Sequence, residues 1–349
     1  MTDFKGVIHT KKGLNIFVGI APSHNKNFED ILDMYKSGES LNILINPGNY
    51  PYRSEKWDKV ILDDTKMGNP TGNLLKSITF QIKKIRSYRR IIKESEKKIP
   101  RQKFTLYYCN LEDTLNNYFF FNFREKFKDD SILVEDGILN YYSYTLNSKR
   151  KKTFLIKRIL FLFFGVPYRI VSGQLSGIDM EEVKKQYVRY PESAIFPEKA
   201  VALPIKKIEY LPLDNTVLFI GQDILENIIG TEKYKLCFKE IIESIASVMG
   251  DEFRLLYKPH RNGTYQTASG MLGKAFENRY QLVLDHTPVE DLIVQIQPKY
   301  IFSFYSTALL NIKMSLPKDT TVEIFSKPLD TTDPKISQLF QKSGINIIE

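Results

Sequence analysis

Phe253-Arg254-Leu255-Leu256-Tyr257-Lys258-Pro259-His260-Arg261 decides how this chain is to be read. The run Phe253 to Leu256 is short and largely apolar, as a buried strand is. It passes at once into a cation, a proline, an imidazole and a second cation. The same change from apolar run to reactive side chains occurs twice more. Tyr300 to Phe302 leads into Ser303-Phe304-Tyr305-Ser306-Thr307, and Ser131 to Val134 leads into Glu135-Asp136-Gly137. A parallel α/β sheet places its chemistry just past the carboxyl ends of its strands. An acidic pair, an imidazole and a hydroxyl pair are therefore expected to converge in one cleft. Such a set suits a reaction that needs a base, an acid and a grip on phosphate.

Outward from these runs, strand and helix patterns alternate. Leu14 to Ile20 reads as a strand, Asn25 to Tyr35 as a helix, and Leu41 to Ile45 as a strand stopped by Asn46-Pro47-Gly48. Lys59 to Leu62 is another strand, Asn73 to Lys98 a long basic helix, Phe104 to Tyr108 a strand and Leu111 to Phe127 an aromatic-rich helix. Later, Thr216 to Ile220 is a strand ending in Gly221-Gln222-Asp223, and Lys233 to Met249 is a helix. Gln281 to Leu284, Tyr300 to Phe304 and Thr321 to Phe325 are strands. Val289 to Gln295, Thr307 to Met314 and Lys335 to Gln341 are helices. This alternation gives an α/β class with helix-covered parallel sheets. The expected division is an N-terminal domain over 1–190, a proline-richer linker over 191–212 and a C-terminal domain over 213–349. A basic-apolar insert near 149–169 breaks the rhythm of the first. Two Rossmann-like domains facing a central cleft constitute the GT-B architecture of many nucleotide-sugar enzymes. Two unrelated Rossmann-like domains would produce the same pattern.

The chain has 349 residues, enough for two domains with separate cores. At 42% hydrophobic and 26% charged it has the composition of a soluble globular protein. Fifty basic residues against forty-one acidic ones leave a net charge of +9, which favours anionic partners without choosing among them. Cys109 and Cys237 have neither metal spacing nor a disulfide framework, as expected of a reducing compartment. Met1 to Gly6 lacks the apolar core of a secretory leader, so secretion is not expected. No uninterrupted apolar window is long enough to span a bilayer. There is no HExxH motif, no paired-cysteine site and no GxxxxGK[ST] loop, so no metal and no P-loop are expected.

Each candidate residue has a functional and a structural reading. His260, beside Lys258, is placed to protonate or hydrogen-bond a departing phosphate, and equally reads as a solvated loop histidine. Ser306-Thr307 opens a helix, where hydroxyls and free amides bind phosphate and also serve as ordinary caps. In Glu135-Asp136-Gly137, repulsion between neighbouring carboxylates can raise one pKa into a useful range. The isolated triplet reads more simply as an acidic turn. Glu290 is placed to hold ribose hydroxyls or to stabilise its helix dipole. Ser23 and His24, after Ala21-Pro22, read first as helix capping and second as site residues. Lys149 to Phe164 reads equally as a core helix and as an anchor on an anionic membrane surface.

Taken in order, these motifs resemble those of bacterial sialyltransferases: Glu135-Asp136-Gly137 for the acidic-Gly motif, Lys258-Pro259-His260-Arg261 for the His-Pro type motif, and Ser306-Thr307 for the Ser-Ser/Thr motif. Arg261 stands where that group usually has proline. With Pro22-Ser23-His24 and Pro288-Val289-Glu290, the chain is most similar to glycosyltransferase family 52, which includes lipooligosaccharide and capsule sialyltransferases. The resemblance implies a metal-independent, inverting GT-B enzyme without a cofactor. Its donor would be CMP-N-acetylneuraminic acid and its acceptor a galactose-terminated cell-surface glycan. The linkage (2,3 or 2,6) is left open. A carboxylate of the acidic pair, Glu135 in preference to Asp136, would deprotonate the acceptor, with Asp223 a rival. His260 would be the general acid. Lys258, Ser306 and Thr307 would serve the phosphate, Glu290 the ribose, and Gly221-Gln222 the donor. A cytoplasmic enzyme, peripheral on the inner membrane face and paired as a homodimer, completes the expectation. A related transferase using another sugar nucleotide fits the same pattern. The reading of another class is a non-catalytic basic protein on nucleic acid or an anionic surface. No nucleic-acid-binding motif supports a nucleic-acid partner.

Overall fold

The structure is a computed structural model and describes residues 13–35, 40–63, 74–146, 148–250, 252–260, 263–284, 287–330 and 332–348, with backbone only at 74–78 and 148–150. Arg261, and the side chains of Lys149 and Arg150, lie outside the described residues. The chain divides into two compact units, Met1–Pro204 and Ile205–Glu349.

The first unit runs β1 (Gly13–Val18), α1 (Pro22–Met34), β2 (Ser40–Asn46), β3 (Lys59–Leu62), α2 (Leu74–Lys98), β4 (Phe104–Tyr108), α3 (Thr114–Phe121), β5 (Lys128–Val134), α4 (Ser148–Phe163), β6 (Val183–Val188) and β7 (Ala200–Ala202). Its strands pair in the order β3-β2-β1-β4-β5-β6-β7, all parallel. Alternate residues of β1 enter different cores, as a pleated strand requires. Ile16 and Val18 join the cluster under α2 and α3, while Phe17 packs with Phe28, Trp57 and Tyr107 on the other face. Both faces are covered, and so the central strands read as unbroken apolar runs.

The second unit runs β8 (Leu213–Ile220), α5 (Ile224–Ile229), α6 (Thr231–Val248), β9 (Arg254–Lys258), α7 (Gln266–Phe276), β10 (Tyr280–Leu282), α8 (Val289–Ile296), β11 (Pro298–Phe304), α9 (Thr307–Ser315), β12 (Glu323–Lys327), α10 (Pro334–Lys342) and β13 (Asn346–Ile347). Its sheet, β10-β9-β8-β11-β12-β13, is also wholly parallel. Strand order reverses between β1 and β4 in the first sheet and between β8 and β11 in the second. Each unit is thus doubly wound, the composition of a GT-B chain, and each has the kind of switch point at which such sheets bind ligands.

Two segments are organised differently from the sequence reading. The helix expected over 111–127 is confined to α3. Asp113 caps its start, accepting from the backbone N–H groups of Leu115 at 2.8 Å and Asn116 at 3.2 Å. The proline-rich stretch read as a linker from 191 carries β7, hydrogen-bonded to β6, so residues up to Pro204 belong to the first unit. Residues just after it are tied to the second unit: the Ile208 N–H donates to the Ser315 carbonyl at 2.9 Å. The basic-apolar insert is the helix α4, and it has both a core face and an exposed face.

Candidate active site

Residues from several strand ends meet at the switch point of the first sheet. Past β1, Pro22 starts α1 with its preset backbone angle, and the capping position is Ala21, which makes no side-chain bond. The capping role expected of Ser23 and His24 is therefore absent. Ser23 is exposed on the first turn, whereas His24 is 2% exposed. The Ile20 N–H donates to His24 Nδ1 at 3.4 Å. A neutral imidazole so occupied carries its proton on Nε2, and Nε2 lies 3.0 Å from Asp136 Oδ1.

Asp136 follows β5. Its second oxygen, Oδ2, accepts from the Asn110 amide, which stands past β4. Asn110 is itself held, because its Oδ1 accepts the Asp113 N–H at 2.9 Å. The Asp136 N–H donates to Asn140 Oδ1 at 3.0 Å, and Gly137 supplies the left-handed turn (φ 63°) that lets the chain enter the next helical turn. Both carboxylate oxygens are thus gripped, yet the side chain keeps 27% of its exposure. Burial pushes the Asp136 pKa up; the facing His24 ring and the Asn110 amide more than offset it, leaving the carboxyl below its ordinary value. Asp113 is lowered in the same way: burial raises it, and Lys84, Lys157 and the Tyr88 hydroxyl pull it down further.

Glu135 occupies the opposite side of the strand end. Its carboxylate accepts from the Arg189 guanidinium, the Tyr141 hydroxyl and, at 2.6 Å, the Arg189 N–H. The other end of the guanidinium donates to Asn27 Oδ1 at 3.0 Å. The Glu135 side chain is 1% exposed. Burial first, and the adjacent carboxylate second, push the Tyr141 hydroxyl well above its usual value, so it remains a donor. Of the acidic pair, in which Glu135 was the expected proton acceptor, Asp136 is therefore the more reachable carboxylate. Alternation along the chain turns Glu135 inward, where its oxygens are taken up, and turns Asp136 toward the rim.

At the switch point of the second sheet, Gln222 past β8 donates from Nε2 to Ser306 Oγ past β11, at 3.0 Å. Ser306 also caps α9, accepting from the Ala308 N–H at 3.3 Å, and Thr307 is that helix's first residue. Gly221 is needed for close packing: a Cβ there would lie 2.8 Å from the Tyr257 ring and 2.8 Å from Asp223 Oδ2. Asp223 is fully buried and accepts from the Tyr257 hydroxyl and, at 2.7 Å, from the His260 N–H. It is a clamp on the β9 loop that carries Lys258 and His260, both half-buried, and as a rival base it would have to act from a fully buried position. Glu290, in the first turn of α8, accepts from Asn311 Nδ2 of α9 at 3.0 Å. Its helix-end placement does not bring it to the Gln222–Ser306 contact among the described hydrogen bonds.

The sequence reading missed Asn110, Asp113 and Arg189. Asn110 and Asp113 follow a strand that was read correctly, and their position past β4 was the available signal. Arg189 follows β6, whose Lys184-Lys185 pair hides it from a search for apolar runs.

A family model described as alpha-2,8-polysialyltransferase (POLYST) matches residues 10–324. The chain belongs to that family. The match runs across both units and includes every candidate residue from Ser23 to Thr307, so the chain is a glycosyltransferase of the sialyltransferase kind. Comparison with curated proteins gives no match. Among solved structures, the GT-B domain of a sialyltransferase from Photobacterium damselae is similar at 12% identity and TM-score 0.46, over 96% of this chain and 99% of that one. A UDP-GlcNAc 2-epimerase from Methanocaldococcus jannaschii is similar at 13% identity and TM-score 0.47, over 96% and 88%. A glycosyltransferase from Rickettsia africae gives 10% identity and TM-score 0.43, over 95% and 88%.

Proposed function

We propose that this polysialyltransferase-family enzyme transfers N-acetylneuraminic acid from CMP-N-acetylneuraminic acid to O8 of a terminal sialic acid, extending a capsule or lipooligosaccharide glycan. The family description supports an alpha-2,8 linkage. A hexose has no eighth carbon, so this linkage calls for a sialic acid at the acceptor end in place of the galactose expected from the sequence. The observation that carries the mechanism is the Asp136 carboxylate, oriented by His24 and Asn110, ionised at neutral pH and still reachable.

In this reading Asp136 takes the proton of the acceptor hydroxyl. The acceptor oxygen forms its bond to the donor's anomeric carbon as the bond from that carbon to the CMP phosphate breaks, with inversion. His260 gives a proton to the departing phosphate, and Lys258, Gln222, Ser306 and Thr307 hold it; Glu290 serves the ribose. Charge on the leaving phosphate is met by protonation and hydrogen bonds, so the chemistry does not require a metal.

The test is CMP release and product formation from CMP-N-acetylneuraminic acid with sialylated and galactose-terminated acceptors, with UDP-sugars as a second donor class. Asp136→Asn should lose about 10²–10⁴-fold in kcat. Release of UMP or UDP but never CMP overturns the donor assignment. Transfer to galactose alone overturns the acceptor, and an unimpaired Asp136→Asn enzyme overturns the base.

A further inference from the structure

Helix α4 has two apolar faces, and the first unit's core uses one of them. Phe154 and Phe161, 4% and 1% exposed, join that core. Lys157 lies against it as well, its ammonium 4.5 Å from the Tyr168 ring centre while it donates to the Glu112 carbonyl. On the other side Leu155 is 50% exposed, Ile156 67%, Ile159 62%, Leu162 59% and Phe163 84%. At about 100° per residue, positions 155, 159 and 162 and positions 156, 159 and 163 make one continuous stripe. Exposed Lys151, Lys152 and Arg158 border it. The helix sequence contains six cations (Lys149, Arg150, Lys151, Lys152, Lys157, Arg158) and no carboxylate.

We propose that this face of α4 lies in the interfacial layer of a membrane that carries anionic lipid. The stripe seats Leu, Ile and Phe among the acyl chains, and the bordering cations reach the headgroups. Charge chooses the occupant. A second copy of this chain docked on the same face would set the exposed Lys151, Lys152 and Arg158 against the same three cations, without one acidic side chain on either helix. The geometry also fixes the manner of contact. No helix among the described residues is long and apolar enough to cross a membrane, so α4 lies along the surface. The inference does not depend on the transferase reading.

Flotation of the full chain with vesicles tests it, using neutral phosphatidylcholine and the same lipid with phosphatidylglycerol. The wild type should bind the anionic vesicles, more weakly in high salt. The triple variant Lys151→Gln, Lys152→Gln, Arg158→Gln should lose about fivefold per cation, on the order of a hundredfold in all. Ile159→Ser with Phe163→Ser should also abolish flotation. Both variants replace exposed side chains, so their melting temperatures should match the wild type, as should transfer to a soluble acceptor. Absence of wild-type binding, or binding that survives either variant, overturns the proposal. So does an α4-dependent dimer in sedimentation without vesicle binding, which would assign the face to a second copy.

Discussion

A carboxylate that is to accept a proton from a sugar hydroxyl must be ionised, oriented and reachable together. Asp136 satisfies all three, because His24 holds one oxygen and Asn110 the other. His24 is a positioning residue in this arrangement: with Nδ1 occupied by a backbone N–H, its remaining proton points at the carboxylate. His24→Phe removes that donor and leaves the desolvation in place, so the Asp136 pKa should rise. The acidic limb of the pH profile of kcat/KM should then move to higher pH, while His24→Gln, which keeps a donor, should restore part of the shift. A uniform loss at every pH with an unmoved limb would show that His24 only supports the fold. The acidic pair itself was legible in the sequence, because Gly137 and the preceding apolar run mark a strand end. Which of Glu135 and Asp136 faces outward was not, since that depends on the parity at which β5 leaves the sheet.

Elements with simple hydrophobic patterns were readable, and those carrying buried polar groups were not. Lys59–Leu62 and Phe104–Tyr108 stand where their apolar runs place them. β6 escaped because Lys184 and Lys185 interrupt it and because Gln186 is fully buried, spending its amide on the Ile195 and Phe196 carbonyls. α7 escaped because Gly270 and Gly273 weaken its helical signal. The missed β6 matters, since its end supplies Arg189, which ties β5, β6 and α1 together through Glu135 and Asn27. Glu135→Gln removes the carboxylate from the buried ion pair with Arg189 and should cost about 3–5 kcal/mol in urea unfolding. The folded fraction should keep far more activity than Asp136→Asn does. Loss of activity with unchanged stability would return the base role to Glu135.

Across the described residues of the whole molecule, the buried or half-buried carboxyls with a lowered pKa, Asp113 and Asp136, belong to one unit. Both lie within Met1–Pro204, where the exposed Asp33 is also brought down to about 2, chiefly by its hydrogen bond to Lys56. Asp330 in the second unit is lowered by Lys233, but on the surface, where solvent screens the pair. A depressed carboxyl stabilises the fold above the unfolded value of about 4 and loses that contribution as pH falls through the folded value. Acidification from pH ~4 toward ~2 should therefore remove amide protection in the first unit before the second, as read by hydrogen exchange. Simultaneous loss would mean that the two units unfold as one.

The sealed Glu135–Arg189 pair also sets a schedule for synthesis. The carboxylate leaves the ribosome 54 residues ahead of the only cation hydrogen-bonded to it among the described contacts. At about 5–20 residues per second, roughly 3–11 s pass before the guanidinium follows. Until then, closing the sheet would bury a lone anion. The nascent first half should therefore stay open until β6 has been translated, which pulse proteolysis of chains arrested before and after Arg189 would read.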